Sequence, residues 1–445
     1  MQRSVFVVTL VTAVFAAAVP AFAQFQPPRP RSERPQRGLF GSGYGTTEQS
    51  LILSASFGGG YDNDLLGQAT AAPTPSGGPR GVGRFGFGSA SLNYSLNREP
   101  FSASAYLGGS GQYYPEMDNP RVFSLGAGIQ ASWQVAQRTS LSTSNQLNSQ
   151  PYSLRTFYGL PVDADTPPDS TDVLNYAIGS TSYKDWRSSV GVSQGITEHL
   201  SGEVGYTYFS VDRADEESSY ASQSVLARLS YQVNKSLSVY GGYGRTTTDY
   251  GNDELDGRYG ARVIDAGVDF AKAVSLTRRT SMTFAAGVSG IENYGDVHYY
   301  FTGNVNVTHE LGRSWTVFAE ARRAANFYQT FGDPVVSTSV TGGISGLLHR
   351  RVQVGAQGGW SRGIVGIASI VPEFDSWTGG ASMRYALARS AGLSVTYSIF
   401  HYVFDENGAP QPIGTEPEMR NQSVRVTFDW STPLMTVARR ANASR

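Results

Sequence analysis

The sequence predicts an all-β protein built as one antiparallel up-and-down β-barrel, and two observations carry this prediction. From Ser50 to Trp430, segments of about 10–15 residues alternate apolar with small or polar side chains, which is the period of two expected of strands. The connections between these segments alternate between tight turns and longer polar loops. No segment keeps the spacing of a helix over three turns.

The strand pattern repeats along the chain in about eighteen segments. In a typical one, Phe123, Leu125 and Ala127 alternate with Ser124 and Gly126. The predicted strands lie near 50–61, 83–97, 100–113, 121–135, 139–148, 180–196, 200–212, 219–233, 236–247, 261–274, 279–291, 297–310, 314–327, 334–348, 351–363, 374–388, 392–404 and 420–431. The second segment breaks the pattern, because Phe85 and Phe87 are out of phase with its later apolar residues, and a β-bulge is expected to correct the phase.

The connections identify the type of barrel. Short turns, such as 97–100, 136–138, 234–236 and 311–313, are interleaved with longer loops. The longer loops are 62–82, 114–120, 149–179, 213–218, 248–260, 364–373 and 405–419. Short turns at one end and long loops at the other are typical of bacterial outer-membrane barrels. The predicted fold class is therefore a transmembrane antiparallel up-and-down β-barrel of outer-membrane type, with about 18 strands (16–18).

Composition excludes several classes of protein. Only 16% of the 445 residues are charged, against roughly 25% in soluble domains. The net charge of -1 leaves no basic excess for binding nucleic acid. Because the chain has no cysteine, it has no disulfide framework and no thiolate metal site.

The N-terminus predicts export from the cytoplasm. Arg3, an apolar run over 5–19 and the Ala21-Phe22-Ala23 ending before Gln24 form a secretory signal peptide, with a buried helix or membrane anchor as the alternative. The predicted organisation is a cleaved signal peptide at 1–23, a flexible Pro/Arg-rich periplasmic arm at 24–48, the barrel at 49–431 and a tail at 432–445. The arm is interpreted as a linker, with contact to a periplasmic partner as the alternative.

Aromatic residues gather at the segment ends, where amphipathic rings favour the level of the lipid headgroups. The expected girdle residues are Tyr94, Tyr106, Trp133, Trp186, Tyr208, Tyr231, Tyr243, Trp315, Trp360, Trp377, Tyr385 and Trp430.

With its signal peptide, alternating segments and final strand Arg425–Trp430, the chain resembles the outer-membrane β-barrel porin family of Gram-negative bacteria. The resemblance implies an assembly signal at Val426, Phe428 and Trp430, read by the barrel-assembly machinery, and a place in the outer membrane among lipid and lipopolysaccharide. The tail after Trp430 departs from the family and is interpreted as a short periplasmic helix. An eighteen-strand barrel without a plug is also similar to exopolysaccharide-export barrels, which implies a polysaccharide-export apparatus as a partner.

The predicted inward rows consist mostly of Ser, Thr, Asn, Gln and Gly, which suits hydroxyl-rich solutes in contact with Tyr106, Tyr240 and Tyr300. Isolated charges on these rows are candidate lumen residues or, alternatively, cross-strand pairs that only hold the barrel. The candidates are Glu203, Arg228, Asp269, Glu320, Arg322, Arg384 and Arg425. Asp265 and Asp429 are expected on the same rows.

The longest loop, 149–179, carries four aspartates with Arg155 near its start. Folded into the lumen, these carboxylates would favour cations at a constriction. Outside the lumen, they would form a solvated acidic cap. The four are Asp163, Asp165, Asp169 and Asp172.

The sequence shows no catalytic motif, because the five histidines share no face with a serine and a carboxylate. It shows no metal or cofactor motif either. The favoured function is a channel that passes polar solutes, with export of exopolysaccharide as its more specific version. A general diffusion porin and a structural or adhesive barrel are the alternatives. The oligomeric state stays open.

Overall fold

The structure, a computed structural model, describes residues 47–63, 83–115, 121–151, 182–213, 219–250, 258–273, 279–293, 296–312, 314–327, 334–365, 373–404 and 418–438. The predicted signal peptide, residues 24–46 of the predicted arm and the loop residues 152–181 lie outside them, whereas Thr47 and Glu48, the last two residues of the predicted arm, belong to the first strand. No helix within these ranges is long and apolar enough to span a membrane.

The predicted fold class is confirmed, since the described chain forms one closed sheet of 18 strands. The strands are β1 Thr47–Asp62, β2 Gly83–Arg98, β3 Phe101–Tyr113, β4 Arg121–Ala136, β5 Thr139–Pro151, β6 Ser182–Gly195, β7 Leu200–Arg213, β8 Tyr220–Asn234, β9 Leu237–Tyr250, β10 Arg258–Ala273, β11 Thr280–Asn293, β12 Asp296–Leu311, β13 Trp315–Phe327, β14 Pro334–His349, β15 Val352–Val365, β16 Glu373–Ala386, β17 Ala391–Phe404 and β18 Glu418–Ala438.

Every strand pairs antiparallel with its neighbours in sequence, and β1 pairs with both β2 and β18. Closure leaves no sheet edge, so the ladders satisfy the backbone donors and acceptors without water. Tight connections such as 99–100, 137–138 and 235–236 all lie at one end, called here the turn end. The longest connections, 63–82 and 152–181, lie at the other, called here the loop end. The chain enters β1 and leaves β18 at the turn end.

The outer face is apolar. On β4, Phe123 and Leu125 are 68% and 64% exposed, whereas their neighbours Ser124 and Gly126 point to the inside. An apolar surface of this extent is a liability in water and a requirement in lipid.

All the predicted girdle rings except Tyr106 face outward, and all of these but Tyr243 lie toward one end of their strands. Tyr94, Trp133, Tyr231, Trp315, Tyr385 and Trp430 lie outside near the turn end, and Trp186, Tyr208, Trp360 and Trp377 lie outside nearer the loop end. Tyr243 lies outside about halfway along β9. Phe123 and Trp133 stand ten residues apart on β4, which corresponds to about 25 Å along the membrane normal at about 3.3 Å per residue and a tilt of about 40°. That height matches the apolar band of an outer-membrane barrel.

Tyr106 points inward instead, because its ring lies over a gap left by glycine. A Cβ atom built on Gly128, the partner of Tyr106 across β3 and β4, would lie 2.2 Å from Tyr106 Cε1. The ring therefore covers the inner surface of β4, and the prediction that placed Tyr106 in a girdle is wrong.

The expected bulge in the second segment is absent. β2 pairs with β1 without interruption from Gly83 to Leu96, so Phe85 and Phe87 keep their phase and face the inside. They are 5% and 6% exposed. The pattern looked broken because apolar side chains change from the inner to the outer face within one strand.

The barrel also extends beyond the predicted boundary at 431. β18 continues to Ala438, where a short helix was expected from Ser431 onward. Residues 431–438 pair with the start of β1, and this ladder supplies their backbone partners. Pro433, opposite Ile52, is accommodated next to a register shift in the ladder.

Candidate channel lumen

The inner wall is lined by small and hydrogen-bonding side chains. On β3, the outward row Ala103, Ala105 and Leu107 alternates with an inward row of Ser102, Ser104, Tyr106, Gly108, Ser110 and Gln112. Hydroxyl and amide groups at this density can exchange hydrogen bonds with water or with a polar solute.

The structure places most of the predicted lumen charges on the inner face. These are Glu203, Arg228, Glu320, Arg322, Arg384, Arg425 and Asp429. Asp265 and Asp269 lie in β10 opposite Gly242 and Ser238, and their side chains are not among the described ones. Arg155, Asp163, Asp165, Asp169 and Asp172 lie outside the described residues, so the constriction stays a prediction.

Asp429 is the centre of a network that joins four consecutive strands across the closure of the barrel. Its carboxylate accepts hydrogen bonds from Ser56 Oγ of β1 at 2.9 Å and from Ser394 Oγ of β17 at 3.2 Å. Arg384 Nη2 of β16 donates to the same carboxylate at 3.2 Å. The negative charge is thus satisfied within the wall and adds little to the field of the lumen.

Glu203 and Arg228 form a second group on the inner wall. They stand directly opposite each other on β7 and β8. The Arg228 guanidinium lies 4.1 Å from the centre of the Tyr240 ring, and Tyr240 Oη donates to the Ala286 carbonyl at 3.4 Å. The Tyr240 side chain reaches Ala286 across Gly267 of β10. Glycine is needed there, because a Cβ would lie 2.7 Å from Tyr240 Oη and 1.6 Å from the Ala286 oxygen.

A third polar group was not among the predicted site residues. Asn148 Nδ2 of β5 donates to Asp185 Oδ2 of β6 at 2.9 Å. Two residues along β6, Arg187 is exposed on the inner face with its guanidinium 4.8 Å from the centre of the Phe209 ring. The signal that could have revealed this group is the alternation of Asp185 and Arg187 with the outward Trp186.

The loop end of the inner wall holds an aromatic cluster that the sequence also left unassigned. Phe85 lies 6.1 Å from Phe87 and 5.7 Å from Tyr114 between ring centres. The Arg425 guanidinium lies 5.3 Å from the centre of the Phe85 ring. Tyr114 follows β3 directly and donates to the Gln112 side chain, and burial raises the pKa of Tyr114 above its ordinary value.

Gly60 explains why the cluster fits against the wall. Built on Gly60, a Cβ atom would lie 2.6 Å from Phe85 Cζ and 2.5 Å from the Val424 carbonyl oxygen. The triplet Gly58-Gly59-Gly60 therefore lets β18 and the Phe85 ring approach β1 closely. At the loop end of β1 and β2, the inner wall is therefore covered by packed aromatic rings.

The size of the barrel follows from its strand count. With 18 strands, about 4.8 Å apart and tilted by about 40°, the backbone cylinder is on the order of 35 Å across. Among the described residues, the inward side chains are mostly small compared with this width.

The five histidines stand apart from one another. His199 lies in the β6–β7 turn, His298 and His309 near opposite ends of β12, His349 at the end of β14 and His401 in β17. His309 Nδ1 lies 2.7 Å from Thr280 Oγ1, and His401 Nε2 lies 2.9 Å from Glu418 Oε1. Within the described ranges, no three His, Asp or Glu side chains gather in a way that could hold a metal ion.

No protein-family profile and no curated protein matches the chain. Among solved structures, it is similar to OpdO from Pseudomonas aeruginosa, with 11% identity, coverage of 87% of this chain and 98% of that one, and a TM-score of 0.45. OccK2 (OpdF) from the same organism, in complex with glucuronate, is 10% identical, and the match covers 87% of this chain and 99% of that one with a TM-score of 0.43. The siderophore receptor PirA from Acinetobacter baumannii is 8% identical, and the match covers 87% of this chain and 81% of that one with a TM-score of 0.44. Likenesses of this extent leave the solute open.

Proposed function

We propose that this protein is a water-filled outer-membrane channel for polar, hydroxyl-bearing solutes. The observation that carries the proposal is the division of strands such as β3, β4 and β8 into an apolar outer row and a polar inner row. On β4, for example, Leu125 and Ile129 face outward at 64% and 54% exposure, between inward Ser124 and Gln130. Lipid is the solvent that suits the first row, and water is the solvent that suits the second.

The charges of the inner wall support passage of neutral or mixed solutes over strong selection by sign. Arg384 is paired with Asp429 at 3.2 Å, and Glu203 stands directly opposite Arg228. Asp185 and Arg187 lie two residues apart on the same face of β6. Since each of these three carboxylates has a cation nearby, their fields largely cancel over a Debye length of about 8 Å at physiological ionic strength.

Hydrogen bonding then becomes the main interaction open to a solute. Serine, threonine and amide groups of the wall can replace water around a sugar hydroxyl at little cost. Exposed Arg187, beside Phe209 and the Asn148–Asp185 pair, offers a solute charged, aromatic and amide groups together.

Liposome swelling tests the proposal directly. Proteoliposomes containing the refolded barrel are expected to swell in isotonic solutions of small sugars, and the rate should fall as the sugar becomes larger. Protein boiled before reconstitution is the control. Equal swelling rates with boiled and folded protein would refute an open channel and leave the structural or adhesive barrel as the better account.

Export of exopolysaccharide stays a prediction. The two predicted partners, a polysaccharide-export apparatus and the barrel-assembly machinery, stay predictions too. A polysaccharide presents the same hydroxyl groups as a small sugar, so the chemistry of the wall is compatible with both. Disrupting the gene and measuring released against cell-retained polysaccharide separates export from general diffusion. Unchanged release would remove export and leave the diffusion porin.

A further inference from the structure

Three polar side chains lie together on the outer face of β5 and β6. Thr143 and Asn145 are successive outward residues of β5, and Ser188 of β6 stands directly opposite Asn145. Asn145 is also paired with Ile129 of β4, whose side chain faces outward at 54% exposure. Because residues paired across a ladder share one face of the sheet, all three point outward. They are called here the polar patch.

The polar patch lies within the thickness of the apolar band. Thr143 and Asn145 come five and seven residues after Arg138, which occupies the β4–β5 turn. At about 3.3 Å per residue and a tilt of about 40°, they stand about 13 Å and 18 Å from that turn, in a band about 25 Å tall. Apolar pairs bracket the patch on the same two strands, Leu141 with Val192 on the turn side and Leu147 with Trp186 on the loop side.

The neighbouring strand keeps an apolar surface at this depth. On β4, the outward residues opposite Asn145 and Thr143 are Ile129 and Ala131. A polar group that faces hydrocarbon is costly, because lipid offers it no hydrogen-bonding partner. The polar patch therefore marks β5 and β6 as a surface that suits protein better than lipid.

Hydrogen bonds within the wall satisfy only part of the polar patch. Asn145 Nδ2 donates to Thr143 Oγ1 at 3.4 Å, and Thr143 Oγ1 donates to the Ser189 carbonyl at 3.2 Å. An asparagine amide has two N–H donors and an oxygen that can accept two bonds. The bond to Thr143 uses one of the donors, so the amide can make further bonds with a group that approaches from outside the barrel.

We propose that the polar patch is the contact surface between two copies of this chain, related by a twofold axis along the membrane normal. Rotation about such an axis keeps every residue at its own depth, so the patch of one copy meets the same patch of the other inside the band. Each Asn145 amide carries both donors and an acceptor, so two of them can satisfy each other.

The chemistry of the polar patch favours a second copy over a lipid chain. An acyl chain has neither donor nor acceptor and leaves the amide unsatisfied. Ala127 and Ala131, on the outer row of β4 beside the patch, are small enough to let another barrel approach closely. The inference rests on the contact of the outer face with lipid, which the proposed function also requires.

Cross-linking of the full chain in proteoliposomes tests the surface, since no native cysteine competes. S188C keeps Asn145 and Thr143, and a short bismaleimide is expected to join two S188C copies into a covalent dimer. I344C is the matched control, because Ile344 faces outward on β14, nine strands from β5, and lies six residues from Arg350 of the β14–β15 turn. Its cross-linking should fall to background as the protein is diluted with lipid, whereas that of S188C should persist.

Removing the amide provides a second measurement. N145L puts an apolar side chain of similar size at the centre of the polar patch, and sedimentation in detergent micelles should show the dimer dissociation constant raised about tenfold. I344L makes an apolar exchange on β14 and should leave the constant unchanged.

Three results would overturn the proposal. They are sedimentation of the unchanged chain as a monomer, equal cross-linking of S188C and I344C, and a dimer of N145L as tight as that of the unchanged chain. A gel shift between boiled and unboiled samples checks that each variant is folded. Liposome swelling should be the same for N145L and the unchanged chain. A closed channel therefore refutes the proposed function alone, and a monomer that swells liposomes refutes this surface alone.

Discussion

The network around Asp429 allows a quantitative prediction about how the barrel is closed. D429A removes an acceptor for Ser56, Ser394 and Arg384, and the Asp429 side chain is only 8% exposed. Each serine bond is expected to contribute about 1 kcal/mol. The ion pair adds about 1 kcal/mol, because the Arg384 side chain is 40% exposed and partly screened. The free energy of unfolding should therefore fall by about 3 kcal/mol.

Urea titration in detergent micelles, followed by tryptophan fluorescence and by the gel shift of unboiled samples, measures this change. A double-mutant cycle with R384A isolates the ion pair and should give a coupling energy of about 1 kcal/mol. D212A is the matched control, since Asp212 is exposed on the outer face, and it should change stability by no more than about 0.5 kcal/mol. The reasoning would be refuted if D429A and R384A changed the free energy of unfolding additively. It would also be refuted if D429A lowered that free energy no more than D212A does.

Three further predictions concern the ladder, the wall and the loop. Truncation after Ser431 removes the part of β18 that pairs with the start of β1, so the unboiled gel should show much less folded barrel than the full chain, and equal yields would contradict the role of this ladder. G267A places a Cβ 1.6 Å from the Ala286 carbonyl, so the midpoint of urea unfolding should fall; an unchanged midpoint would contradict the close approach. If loop 149–179 sets a constriction, changing its four aspartates to asparagine should shift the reversal potential in a salt gradient toward anions, whereas an unchanged potential would place the carboxylates outside the path. The four are Asp163, Asp165, Asp169 and Asp172.

The strands and the ends of the barrel were predictable because their signals are local. Alternation such as Phe123, Ser124, Leu125 reports which solvent each side chain meets, and it needs no knowledge of distant residues. Loop length is equally local, and it separated the turn end from the loop end.

What the sequence left open depends on partners that are far apart in the chain. Ser431–Ala438 forms a strand because β1, the first strand, lies beside it. The inward Phe85 is explained by Gly60 and Arg425, which come from the two terminal strands. Asp429 and Arg384 were both expected inside, but their contact requires the register of three strands.

The central claim is that lipid meets one row of each strand and water meets the other, and cysteine scanning along β4 tests it most directly. The chain has no native cysteine, so each introduced thiol is unique. In proteoliposomes, a membrane-impermeant thiol reagent should label cysteines at Ser124, Gln130 and Ser132 and spare those at Leu125 and Ile129. Labelling without a period of two, or labelling of the Leu125 and Ile129 positions in place of the others, would contradict the account.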